Sequence, residues 1–306
     1  MRFPITRPLA WLPLAAGALS LAAARASAQD LEPRAYSPNP VGANFAIVSG
    51  SNSSGAVVLD PSLPLRDVDA SINSVTLSYN RTLGFLGRSA SVALGMPYSW
   101  GPIKGEVAEE FRSIRRSGLG DFRLRLAVNL LGGPALTRPE FAKRRPTTAL
   151  GMSLVVTAPT GQYDPAKLIN IGTNRWAFKP ELGLSCPAGK WAFEAYAGVW
   201  LFTANQDFLG GSLREQDPII ALQAHVAYTF KPRLWVAGDA TFYTGGRTSV
   251  DGVANADLQR NSRVGLTLAV PIGRHDSVKA SWAAGATTRT GGSFTTFTLA
   301  WQYLWF

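Results

Sequence analysis

Near the C-terminus of this chain, every second residue is large and apolar. In SFTTFTLAWQYLWF (293–306), Phe297, Leu299, Trp301, Tyr303 and Trp305 alternate with Thr298, Ala300, Gln302 and Leu304. Successive strand side chains point to opposite faces of a sheet, so this segment has one apolar, aromatic face and one mixed face. The chain then stops on Phe306, which is out of phase with the odd-numbered series.

An aromatic strand ending flush with the chain resembles the closing strand of bacterial outer-membrane β-barrels. The N-terminus agrees with that setting. Arg2 and Arg7 precede an apolar run over 9–24, and Ala26-Ser27-Ala28 follows. That order predicts a secretory signal peptide over 1–28, cleaved after Ala28. The alternative, an anchoring helix, needs about 20 apolar residues, and Pro13 interrupts this shorter run. No cysteine follows the cut, which argues against a lipid-modified N-terminus. Residues 29–40 (QDLEPRAYSPNP) read as a periplasmic lead-in without periodicity, and 41–306 as the barrel.

Composition alone does not choose between a soluble fold and a barrel, because lipid-facing and lumen-facing residues average out. The aromatic content, with 9 Trp, 15 Phe and 8 Tyr, favours the interfacial girdles of a barrel. Cys186 is the single cysteine, so no intramolecular disulfide or cysteine-cluster metal site is available. The formal charge of +10 falls to +7 once Arg2, Arg7 and Arg25 leave with the signal. The basic residues form no block. Arg112, Arg115 and Arg116, and then Lys143, Arg144 and Arg145, fall in expected loops, where lipopolysaccharide phosphates are the simpler partner than nucleic acid.

Period-two segments bounded by turn residues predict about twelve strands, at 41–49, 70–82, 88–99, 119–132, 147–160, 174–186, 190–203, 218–230, 233–245, 258–272, 275–288 and 293–306. The eighth sets Ile220, Leu222, Ala224, Val226, Tyr228 and Phe230 against Gln223, His225 and Thr229. Long and short gaps alternate, as expected for external loops and tight periplasmic turns; 133–146 and 289–292 break that rhythm. The fold class is therefore an all-β, transmembrane, antiparallel up-and-down β-barrel. Pro180 falls inside the sixth strand, which predicts either a bulge or a later strand start.

Enzyme signatures are scarce. The chain has two histidines, His225 and His275, and lacks a Gly-x-Ser-x-Gly elbow, a His-Glu-x-x-His pattern and a phosphate-binding Gly loop. No catalytic, cofactor-binding or metal-ligating set is expected. Strand parity instead points Arg123, Arg125, Lys179, Glu181, Glu194, Gln223, His225, Asp239, Arg263 and Lys279 into the lumen. Those charges either fill the lumen or tune a narrow polar passage, and the two roles are compatible. Tyr163, Leu168 and Ile169 lie on a loop that either folds into the mouth or packs on its neighbours.

Two long stretches, TAPTGQYDPAKLINIGTNRWAFKPELGLS (157–185) and GGRTSVDGVANADLQRNSRVGLTLAVPIGRHDSVKASWAAGATTRTGGSFTTFTLAWQYLWF (245–306), together with LDPSLPLRDVDASINS (59–74), carry a resemblance to a known family. It is the transporter-like family named for the MetA pathway of phenol degradation, and the similarity runs from about residue 41 to the end. The resemblance implies an outer-membrane barrel associated with aromatic catabolism, with no catalytic or ligand residues to carry over. The expected function is passive or facilitated passage of small hydrophobic or aromatic compounds. A structural or surface-interaction barrel and an outer-membrane enzyme are the alternatives. Expected partners are outer-membrane lipid and lipopolysaccharide, the barrel-assembly machinery during insertion and a small-molecule cargo, with no nucleic acid.

Overall fold

The computed structural model describes residues 31–58, 65–107 and 110–306; the expected signal peptide, 1–28, lies outside them. Along the described chain run β1 (Asn44–Val58), β2 (Leu65–Phe85), β3 (Arg88–Val107), β4 (Glu110–Leu119), β5 (Phe122–Leu131), the helix α1 (Arg138–Lys143), β6 (Ala149–Ala158), β7 (Ala177–Ala188) and β8 (Trp191–Phe202). Then come β9 (Asn205–Phe208), β10 (Ser212–Gln216), β11 (Ile219–Lys231), β12 (Leu234–Gly245), β13 (Thr248–Val250), β14 (Val253–Ala254), β15 (Gln259–Pro271), β16 (Asp276–Thr288) and β17 (Gly291–Trp305).

The main sheet is antiparallel, in the order β2-β1-β17-β16-β15-β12-β11-β8-β7-β6-β5-β3-β4, and a β2–β3 pairing closes it. β4 and β5 both pair with β3, along 98–107 and 90–95 respectively, so they are two parts of one strand broken at Gly120-Asp121. Twelve strands therefore circle the barrel. Closure pairs the backbone groups that an open edge would leave bare in lipid.

Side-chain alternation sorts the two faces. Leu266, Phe297 and Leu299 are more than half exposed on the outside, whereas their neighbours Thr267 and Ala300 are buried inside. Aromatic rings gather where strands meet the tight turns: Trp191 stands 4.8 Å from Tyr228, Tyr228 5.0 Å from Phe230, and Tyr303 5.8 Å from Trp305. Such a belt marks a membrane interface, and short turns mark the periplasmic end.

Several expected loops are folded. Most of 50–69 is strand, with Ser51–Ser54 paired to both β2 and β17; it shows no apolar alternation because hydroxyls face inward there. The stretch 100–118 continues β3 and β4 as a hairpin beyond Gly101. Segments 204–217 and 246–257 build a second, four-stranded sheet in the order β14-β13-β10-β9. The long gap 133–146 holds α1, whose first turn is closed by Glu140 accepting from the Thr137 backbone N–H (2.8 Å) and hydroxyl (2.7 Å). β7 begins at Ala177, later than expected, yet Pro180 still falls inside it, in register with Leu154 of β6; there is no bulge, and Lys179 and Pro180 drop out of the ladder to β8 alone.

Candidate functional site: a half-filled lumen

Within the expected periplasmic lead-in, residues 31–36 instead lie inside the barrel, and Tyr36 is 3% exposed. Its ring sits against Gly151 and Gly183, which face each other across the β6–β7 ladder. A Cβ on Gly183 would lie 2.0 Å from the Tyr36 ring and one on Gly151 2.4 Å from it, so the two glycines form a seat for the aromatic side chain. The Tyr36 hydroxyl meets Ser153 Oγ at 2.8 Å and donates to Glu181 Oε1 at 3.0 Å. The Arg34 backbone N–H donates to Glu194 Oε2 at 2.6 Å, and that of Ala35 to the Tyr196 hydroxyl at 3.2 Å. The Arg34 guanidinium lies 5.3 Å from the Trp235 ring centre, and Leu31 reaches the wall beside Gly265. The segment thus crosses the lumen from β6 and β7 to β15.

The inward charges are organised around this segment. Glu181 accepts from Lys179 Nζ at 2.6 Å and from Gln223 Nε2 at 3.2 Å. Glu194 also accepts from Ser185 and Tyr196, both at 2.8 Å. Asp239 is held by His225 Nδ1 at 2.7 Å and by the Thr267 hydroxyl at 2.9 Å. Arg125 stacks over the Tyr36 ring at 5.1 Å, and Arg263 donates to the Thr296 hydroxyl at 3.3 Å. Arg123 sits half-buried on β5 in register with Gly95 and Thr157, and Lys279 is exposed to the lumen. Burying these carboxylates is tolerable only because each is met by several donors.

The opposite wall differs. Its inward positions on β1, β2, β3 and β17 carry Ser49, Ser51, Ser74, Thr76, Ser99, Thr296 and Thr298, all half-buried. Ser74 meets Ser99 at 2.7 Å and Ser53 meets Thr296 at 2.9 Å. Small hydroxyls leave room, and they hydrogen-bond water as readily as one another.

At the external end, loop 161–173 folds over this open side. Asp121 ties both ends of the loop, accepting from the backbone N–H of Gly161 (2.8 Å) and Thr173 (2.9 Å) and from the Thr173 hydroxyl (2.6 Å). Gly161 and Gly172 touch, since a Cβ on Gly172 would lie 2.6 Å from the Gly161 carbonyl carbon. Ile169 is 2% exposed and packs with Val57, Val68, Ala70, Ile103 and Phe294 from the wall. Leu168 joins that cluster to Phe208 and Val250 of the outer sheet. The Tyr163 hydroxyl donates to the Asp207 carbonyl at 3.0 Å and accepts from Asn205 Nδ2 at 2.9 Å; burial pushes this hydroxyl up. In the outer sheet, burial pulls the Arg214 guanidinium down to about 10.

The family model described as "Putative MetA-pathway of phenol degradation" matches residues 49–303. The chain belongs to this family. It is an outer-membrane β-barrel. Among solved structures, it is similar to the COG4313 outer membrane channel from Pseudomonas putida F1, with a TM-score of 0.73 and 21% identity, over 90% of this chain and 100% of that one. It is also similar to the β domain of the Bordetella autotransporter BrkA, with a TM-score of 0.51 and 12% identity, over 87% of this chain and 100% of that one. At those identities the likeness concerns the fold. No curated protein matches the chain.

Within this member of the MetA-pathway family, sequence reasoning missed Glu32, Arg34 and Tyr36. Strand periodicity cannot flag an irregular segment. A signal did exist at its receiving end: Gly151 and Gly183 occupy inward positions where a bare backbone invites a close neighbour.

Proposed function

We propose that the barrel gives small hydrophobic or aromatic compounds a passive or facilitated route across the outer membrane. The supporting observation is the divided lumen, packed with a peptide segment along one wall and lined by half-buried hydroxyls along the other. Leu168 and Ile169 pack the external loop down onto Phe294 and its neighbours, which narrows the entrance on that side. The solved relative at 21% identity is itself described as an outer membrane channel. A hydrolytic reading would lean on His225, which is 1% exposed and committed to Asp239. The proposal includes export by a signal peptide cleaved after Ala28, insertion by the barrel-assembly machinery and contact between the basic external residues and lipopolysaccharide.

Planar bilayers containing the purified barrel test this reading. Small, resolvable conductance steps are expected, and removal of 31–40 from the mature chain should enlarge them, because a narrow pore is governed by what occupies it. No conductance in either protein, with normal growth of a deletion strain on limiting aromatic carbon sources, would leave a structural barrel as the better account.

A further inference from the structure

The lipid-facing surface has a hollow beside the aromatic belt at the periplasmic end. Trp191, Tyr228, Phe230, Val236 and Leu266 surround an open groove of about 560 Å³, and Gly238 contributes bare backbone to it. Gly238 lies in register with Val226 on β11 and Leu266 on β15, and a Cβ built on it would meet nothing within 4 Å. Further from the turns, Ala195, Ala224 and Ala240 stand in register across β8, β11 and β12, and all three are exposed. The depression therefore continues from the headgroup level towards the middle of the bilayer.

Cations stand at its foot. Lys190 precedes Trp191, and its carbonyl accepts from the Thr229 backbone N–H at 2.8 Å, between Tyr228 and Phe230. Lys231 follows Phe230, and Arg233 lies in the turn between β11 and β12. Both lysines are exposed. Arg233 is held by donating to the carbonyls of Gly273 (3.0 Å), Arg274 (2.8 Å) and Asp276 (2.7 Å), which leaves its charge uncompensated. The Asp276 carboxylate is engaged elsewhere, accepting from Trp301 Nε1 at 3.0 Å. Among the described residues, none of Lys190, Lys231 and Arg233 is paired with a carboxylate.

An unfilled groove forfeits dispersion contacts along its lining. Lipid tails are as apolar as the wall, so shape and charge choose the occupant, not hydrophobicity. A second barrel related by a twofold axis would set hollow against hollow and lysine against lysine. A flexible acyl chain can follow the groove, and a phosphate at the headgroup level meets the cations. We propose that groove and cations form one binding site for an anionic phospholipid of the periplasmic leaflet, with an acyl chain along Gly238 and the phosphate on Lys190 and Lys231. The site lies outside the barrel and is independent of what passes through the lumen.

The test is native mass spectrometry of the purified mature barrel in detergent, titrated with phosphatidylglycerol or with phosphatidylcholine carrying the same chains. Wild type should take up one phosphatidylglycerol about tenfold more tightly than phosphatidylcholine. Gly238→Leu fills the groove and should weaken both lipids about fivefold. Gly50→Leu is the control. Gly50 is exposed beside Leu299, with nothing within 4 Å of a built Cβ, so both affinities should stay unchanged. Lys190→Gln combined with Lys231→Gln should abolish the preference for phosphatidylglycerol and retain phosphatidylcholine binding. Both lysines are exposed, so this variant keeps the proposal testable even if Gly238→Leu misfolds. Lipid uptake without a tightest first site, equal weakening by Gly238→Leu and Gly50→Leu, or a preference that survives loss of both lysines would overturn the proposal. A barrel dimer that Gly238→Leu dissociates would overturn it too, with a second copy as the occupant.

Discussion

On β6, β7, β8, β11 and β12 the inward positions carry Ser153, Glu181, Glu194, Tyr196, Gln223, His225 and Asp239, most of them buried. On β1, β2, β3 and β17 the matching positions carry Ser49, Ser51, Ser74, Thr76, Ser99, Thr296 and Thr298, all half-buried. The backbone is the same closed ladder throughout. The difference is the neighbour each wall was built to meet. Carboxylates and amides appear where the inserted segment and the wall itself supply donors at fixed positions, and hydroxyls where they pair with one another across strands. Buried charge needs organised partners, whereas a hydroxyl needs very little.

Steric load should separate the walls most sharply. Gly183→Leu drives a side chain into the Tyr36 ring, and overpacking of this kind costs about 1–3 kcal/mol. Gly95→Ser, on the open wall, meets only Ser78 Oγ at an ordinary 3.5 Å and should be near neutral. Heat-dependent gel migration of the folded barrels reports both; equal loss in the two variants would mean that the walls are not packed differently.

Charge should separate them next. Thr267→Arg removes a donor from Asp239 and crowds a buried position, so a loss of about 1–2 kcal/mol is expected. Thr298→Arg projects into the open side and should leave folding intact while changing the ion selectivity of the pore. If Thr298→Arg misfolds as badly as Thr267→Arg, there is no open side.

The smallest contrast concerns single hydroxyls. Tyr36→Phe deletes the bonds to Ser153 and Glu181 and should cost about 1 kcal/mol, seen as faster amide exchange across 31–40. Ser74→Ala loses a bond to Ser99 that water can replace, so amide exchange along β2 should stay within about twofold of wild type.

The barrel was legible because a period of two is forced on any strand with lipid on one side and lumen on the other. β11 and β15 display it without interruption. The Ser-rich end of β1 did not, because its inner face needs no apolar partner and part of it pairs beyond the aromatic Trp301 level. The parity of Glu181, Glu194 and Asp239 could be read in advance, but their partners could not. Those partners come from an aperiodic segment and from strands distant in sequence, brought together only by closure. The outer sheet escaped notice for a related reason: its strands span 2 to 5 residues, too short to show any period.

The inserted segment also dictates a sequence of events in biogenesis. Arg34 reaches Glu194 across 160 positions and Tyr36 reaches Ser153 across 117, yet the segment leads directly into β1, one side of the seam with β17. Its receiving wall therefore exists only after the central strands have paired. Insertion of the segment is consequently a late step that follows assembly of the wall on which it packs. A barrel whose segment stayed out would leave Glu181 and Glu194 short of donors.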